Sequence, residues 1–125
     1  MEPNIWGPHA WFFLHSVTLM YPEHPNEQEK QHYYNFFNNL GNILPCIICR
    51  ENYKNHLIKY PLKQNLNTRN DLHIWLVNIH NEVNKIHKKN NIIQMKYYKC
   101  IQTFIKKIKN MLLIILIINR IIQII

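Results

Sequence analysis

Leu44-Pro45-Cys46-Ile47-Ile48-Cys49-Arg50 sets two cysteines one helical turn apart, behind a proline and ahead of a helical pattern. Pro45 suits the first turn of a helix, where its missing N–H costs nothing. Cys46 then falls near a helix N-terminus, among unpaired N–H groups and the positive end of the dipole. A thiolate is favoured there, and a C-x-x-C pair so placed can be oxidised and reduced reversibly. The same residues also fit half a zinc site or two buried thiols. A thioredoxin-like frame would put strands around the motif. Helical patterns flank it instead, which points to an all-α fold.

Upstream of the motif, Asn26-Glu27-Gln28-Glu29 has the form of a capping box. Tyr33, Phe36, Phe37 and Leu40 then give a helix an aromatic core stripe, with Gly41 breaking or ending it before Pro45. Earlier still, Trp6-Gly7-Pro8 reads as a turn with Pro8 at the first position of a helix. Trp11, Leu14, His15 and Thr18 share one face of that helix, and Pro22 stops it near Tyr21. Downstream, a helix from Pro45 to Lys59 carries Cys49, Tyr53, His56 or Leu57, and Tyr60 on one side, and Pro61 ends it. Residues 62–67 read as a polar linker.

Thr68-Arg69-Asn70-Asp71 is a second capping box, followed by Leu72, Trp75, Leu76, Ile79, His80 and Val83 at helical spacing. A basic turn at 87–91 leads to a fifth helix starting near Ile92. The expected architecture is an antiparallel four-helix bundle with a short fifth helix, in residues 1–100. Residues 101–125 form a C-terminal apolar tail, helical or disordered. Met111–Ile118 is apolar on every side, but a bilayer takes about 20 such residues. If ordered, the tail covers a partner subunit or makes a membrane contact by lying on the surface.

A chain of 125 residues can bury roughly two-thirds of its unfolded surface as one domain. The net charge of +8 raises nucleic acid or an acidic membrane as partners. The lysines are spread thinly, with clusters only at 85–89 and 106–109, and no nucleic-acid-binding signature accompanies them. They read as a solvated basic face, so nucleic acid is not expected. No N-terminal signal peptide is visible, and three cysteines in such a chain do not make a disulfide scaffold.

His80-Asn81-Glu82-Val83-Asn84 puts His80 and Asn84 on one helix face, with Asn81 beside them. Polar side chains on an apolar face need partners. Alone, the group reads as a capped or solvated Asn pair and an ordinary histidine. Together with Trp11, His15 and Cys49 on core faces, it points to a cofactor pocket.

These blocks are similar to the FAD-linked sulfhydryl oxidases of the Erv/ALR type. The matching runs are Trp6-Gly7-Pro8-His9-Ala10-Trp11-Phe12-Phe13-Leu14-His15, Tyr21-Pro22-Glu23-His24-Pro25, the Cys46–Cys49 motif and Trp75 to Asn84, in the family's order over residues 6 to about 98. The resemblance implies a four-helix bundle with a short fifth helix, one FAD per subunit and a homodimer. It implies that Cys46 is the cysteine attacked by substrate dithiols and that Cys49 passes electrons to the flavin. Gly7, Trp11 and His15 match first-helix cofactor contacts. His80, Asn81, Val83 and Asn84 match the block along the cofactor, Lys89 a phosphate contact, and Tyr98 an aromatic flanking adenine. The implied substrate is a dithiol protein, such as a small thioredoxin-like or C-x-x-C protein, with O2 reduced to hydrogen peroxide.

The family's structural disulfide would fall near Val77 and Gln94, and neither is cysteine; no second, shuttle pair is present, and Cys100 stands alone as a buried thiol, an intersubunit link or a relay. Minimal members of this kind in large DNA viruses imply host cytoplasm or the virion, with the mitochondrial intermembrane space as the alternative. The competing function is a zinc-stabilised helical binding module, in which Cys46 and Cys49 join two of His56, His73, His80 or His87.

Overall fold

The computed structural model describes the backbone of residues 1–91 and 95–124, and the side chains except those of 92–98, 100, 101, 104, 124 and 125. Five α-helices and one 3₁₀ turn account for it, and no strand occurs among the described residues. The helices are α1 (Pro3–Leu19), α2 (Glu27–Ile43), α3 (Ile47–Lys59), α4 (Arg69–Ile86) and α5 (Met95–Ile124), with the 3₁₀ turn at Leu62–Asn65. The chain divides into two compact units, Met1–Gln94 and Met95–Ile125. In the first unit α1 packs on α4 and α2 on α3, and the 3₁₀ turn touches α2 and α4.

Helix starts follow local chemistry. Asn26 and Glu29 close a full capping box: Glu29 N–H donates to Asn26 Oδ1 at 2.8 Å, and Asn26 N–H donates to Glu29 Oε2 at 2.9 Å. Thr68 closes the first half only, accepting from Asp71 N–H at 3.1 Å, because Asp71 is one methylene shorter than the Glu a full box uses. α1 begins at Pro3, five residues before the start expected from Pro8, which lies inside the helix. Pro3 supplies the pre-set φ at the helix start that Pro8 was assigned. Pro45, by contrast, lies outside α3, and Cys46 itself is the N-cap.

The core gathers Leu14, Tyr21, Phe37, Leu40, Tyr53, Trp75, Leu76 and Ile79, with Leu62, Leu66 and Leu72. Residues 62–67 are therefore more than a polar linker: Leu62 and Leu66 are buried, each two residues from a helix cap, Tyr60 and Thr68. Phe36, placed in the aromatic stripe by spacing, is exposed beside Phe13 at the α1–α2 surface. Three buried polar groups are satisfied by distant carbonyls. Tyr21 OH donates to Leu66 O at 2.8 Å, Tyr53 OH to Phe37 O at 2.7 Å, and Trp75 Nε1–H to Tyr60 O at 2.9 Å.

The fifth helix is long rather than short. It runs unbroken through residue 100 and takes in the tail. Its stretch from Met111 to Ile118 is exposed on all sides within its own unit. No helix among the described residues is long and apolar enough to cross a membrane.

Gly41 does not end α2. It sits inside the helix where α3 comes close, and a Cβ there would lie 3.1 Å from Lys54 Cγ and 3.3 Å from Tyr53 Cδ1. The Lys54 stem can swing away, whereas the Tyr53 ring is pinned by its hydroxyl. Gly41→Leu is expected to destabilise the chain by about 1–3 kcal/mol through overpacking. Gly41→Ala should change stability far less, since helix propensity gains what the tight contact loses. Urea unfolding midpoints of the two variants check this.

Candidate active site

Cys46 and Cys49 are joined in a disulfide across the first turn of α3, with Cα atoms 5.1 Å apart. Cys46 Sγ also accepts the Cys49 N–H at 3.2 Å, so this sulfur sits at the positive helix end. Both cysteines are half-buried, and the residues between them are exposed. Arg50 turns back so that its Nε–H donates to Leu44 O. A strained or accessible disulfide at a helix start can exchange with an incoming thiolate. With both sulfurs in this bond, neither is the thiolate ligand that the zinc module requires.

Along the α1–α4 seam the structure joins Trp11, His15 and His80. The Trp11 and His80 rings stack with centroids 3.8 Å apart and planes within 5°. His15 Nε2 and His80 Nδ1 share a proton across 3.0 Å. Thr18 Oγ1 donates to His15 O at 2.9 Å and lies 3.1 Å from His73 Nδ1. A hydroxyl has one proton, already given to the carbonyl, so His73 Nδ1–H is the donor to Thr18. Burial, then His80, then His73 push the His15 pKa down to about 3. His15 is thus an uncharged polar group inside an apolar core.

Asn84, one turn beyond His80, is buried and holds the end of α4. Lys89 N–H donates to Asn84 O at 2.8 Å, and Asn84 Nδ2 donates to Asn90 O at 3.3 Å. Lys88 takes a left-handed conformation with φ of 53° to make that turn. Lys89 itself is exposed, and Asn81 and Val83 are half-buried. Gly7 lies four residues before Trp11 on α1, and a Cβ added there meets nothing within 4 Å. The structure thus assembles Trp11, His15, His80 and Asn84 along α1 and α4, while Cys46 and Cys49 stand at the head of α3. The side chains of Tyr98 and Cys100, and residue Gln94, lie outside the described residues.

Spacing did not single out Glu82 as a site-builder. Its Oε1 accepts from Lys85 Nζ at 2.9 Å, and from Lys59 Nζ and Tyr60 OH at 3.0 Å each. These bonds, Lys85 first and then Lys59, hold its carboxyl down to about 2. They tie the end of α3 to α4 and so fix which face of α4 carries His80 and Asn84. Lys59 and Tyr60 come just before Pro61, and no local pattern announces that partnership. His56, also buried, has its pKa lowered by burial, and its Nε2 has no hydrogen-bond partner among the described residues.

The model of the Erv1 / Alr family matches residues 8–109. Over 85 residues, 67% of this chain and 59% of the relative, the sequence is 48% identical to a protein of Acanthamoeba polyphaga mimivirus named "Probable FAD-linked sulfhydryl oxidase R368". The chain therefore spans about three-fifths of that relative's length. It is 36% identical over 107 residues to an FAD-linked sulfhydryl oxidase of African swine fever virus, covering 83% of this chain and 87% of that one. Among solved structures, the FAD binding domain of Erv1 from Saccharomyces cerevisiae superposes with a TM-score of 0.73 at 28% identity, over 79% of this chain and 92% of that chain.

His15 gives a pH dependence with a definite sign. Its pKa is about 3 in the folded chain against 6.5 for a free histidine, so between those values the unfolded chain binds the extra proton. Stability is fully present above about pH 6.5 and is lost as pH falls towards 3, with a limiting slope of about 1.4 kcal/mol per pH unit. Glu82 adds its own loss only below its ordinary value of 4.5. Urea midpoints taken from about pH 7.5 to about pH 5 should fall for the native chain and fall less steeply for His15→Gln.

Proposed function

The chain belongs to the Erv1 / Alr family, and on that premise we propose that it is an FAD-dependent thiol oxidase that makes disulfides in a dithiol protein and delivers the electrons to O2 as hydrogen peroxide. The observation that carries this reading is the Cys46–Cys49 disulfide at the N-terminus of α3, in a chain whose relatives are named for that activity.

The residues fit the cofactor those names imply. Gly7 has an ordinary helical φ and open space where its side chain would be, so neither backbone strain nor protein packing calls for glycine there. A flat group resting against α1 would. Trp11 is half-buried beside the His15–His80 pair, offering a ring face and neutral polar atoms along the same helix. Asn84 shapes the turn that carries Lys89, a cation suited to a diphosphate. Gly7, Trp11, His15, Cys49, His80, Asn81, Val83, Asn84 and Lys89 would hold FAD.

In the thiol half of the reaction, a substrate thiolate forms a bond to Cys46 Sγ while the Cys46–Cys49 bond breaks, and Cys49 leaves as a thiolate. The second substrate thiolate attacks the mixed disulfide, and Cys46 leaves in turn. The Cys49 N–H and the helix dipole support the Cys46 thiolate as it departs. The substrate now holds a disulfide, and Cys46 and Cys49 hold the two electrons. Bound FAD supplies the two-electron acceptor for that pair and the route from it to O2. His15, kept neutral by burial, holds no charge against that site near neutral pH.

Two further readings of the first unit go with this one. Phe12, Phe13 and Phe36 expose aromatic surface where α1 meets α2, which supports a homodimer through that face. The viral relatives support a site of action in the cytoplasm or virion.

Cys49→Ser is expected to lose thiol oxidation to the background rate while still binding FAD, read by oxygen consumption and flavin absorption on the purified chain. Full activity in that variant would overturn the assignment of the cysteines. Gly7→Leu is expected to melt no lower than the native apo-chain, because its added atoms enter open space, yet to purify with much less flavin.

A further inference from the structure

The disulfide is framed by isoleucines that nothing in the first unit covers. Ile47 and Ile48, the two residues between the cysteines, are 72% and 69% exposed, and Ile43, at the end of α2, is 68% exposed. Single exposed apolar residues are ordinary, but three within seven residues of one reactive bond are a patch. The surroundings carry little charge. From residue 31 to residue 49 the chain has no Asp, Glu, Lys or Arg. The two cations beside the motif are held on its backbone: Arg50 donates to Leu44 O, and the Met1 amino group donates to Pro45 O at 3.3 Å.

Disulfide exchange needs the attacking sulfur in line with the Cys46–Cys49 bond at bonding distance. A protein cysteine that reaches this point brings its sequence neighbours onto Ile47 and Ile48, because those residues span the two sulfurs. A charged or strongly polar flank would lose solvation against the two isoleucines, whereas an apolar flank would be buried favourably. In a chain of net charge +8, the residues that lead into and span the reactive bond thus carry no charged side chain.

Resting on the thiol-oxidase reading above, we propose that Ile43, Ile47 and Ile48 form a docking patch that selects dithiol proteins whose cysteines are flanked by apolar residues. The exchange chemistry is unchanged; the patch sets which dithiol arrives.

The test uses the full FAD-loaded chain and three substrates: dithiothreitol, and two synthetic dithiol peptides alike except for apolar or charged residues beside their cysteines. The native chain should turn over the apolar peptide with kcat/KM about 10- to 100-fold above the charged one, mostly through KM. An Ile47→Gln/Ile48→Gln variant should lose that preference and keep its rate on dithiothreitol, and Ile47→Val/Ile48→Val should restore most of it. Equal kcat/KM for the two peptides on the native chain overturns the patch, as does an equal loss on all three substrates in the Gln variant. A change of oligomeric state in the Gln variant also overturns it, since the isoleucines would then face a second copy. Failure of the native chain to oxidise dithiothreitol would instead strike the parent reading.

Discussion

A proton shared between His15 and His80, deep between two helices, is the constraint on which the first unit is built. The His15 ring cannot take a full charge there without losing solvation that the apolar core does not replace. The bond between the two rings holds only if α1 and α4 keep one register. Thr18 extends the chain by bonding both the His15 carbonyl and the His73 ring. A slip of either helix would break several buried bonds at once. That explains how a bundle of modest size presents Trp11 and His80 as a fixed stacked pair.

The opposite side of α4 is held differently. Glu82 gathers Lys59, Tyr60 and Lys85 at the surface, where each ion pair by itself contributes little. Their value here is geometric, since the three bonds converge on a single oxygen and two of them, from Lys59 and Tyr60, join the end of α3 to α4. Trp75 reinforces the same junction through Tyr60 O. With His80 and Asn84 on one face and Glu82 on the other, α4 has no rotational freedom left. A bridge near Val77 would have served a similar purpose, but Val77 is instead a packed core residue.

Much of the fold was legible because its signals are short-range. Asn26 and Thr68 announce helices within four residues of themselves, and the apolar spacing of Leu72, Trp75, Leu76 and Ile79 declares a face without reference to anything else. The readings that failed were those where one local rule had two outcomes. Pro8 can open a helix or sit inside one, and Pro3 had already taken the opening position. Gly41 can end a helix or let another approach it, and only the presence of Tyr53 across the gap decides. Leu62 and Leu66 look like isolated residues in a polar run, and their burial depends on a 3₁₀ turn that brings them round to one side.

The site divides along the same line. Trp11, His15, His80 and Asn84 were visible as polar or aromatic residues on core faces, and the structure brings the first three to one seam and sets Asn84 at the end of α4. Glu82 was invisible as a determinant, because its partners lie 22 and 23 residues earlier, beyond the reach of any helical period. The reactive bond itself asks least of the long-range fold. A cap, a first turn and two intervening residues suffice to place Cys46 Sγ against the Cys49 N–H. Such independence has a consequence for how the chain can change. The residues between the cysteines are free to suit a partner, because their backbone supports the exchange whatever their side chains are. In this chain they are isoleucines, and the seam that must not vary lies elsewhere, on helices that do not contain them.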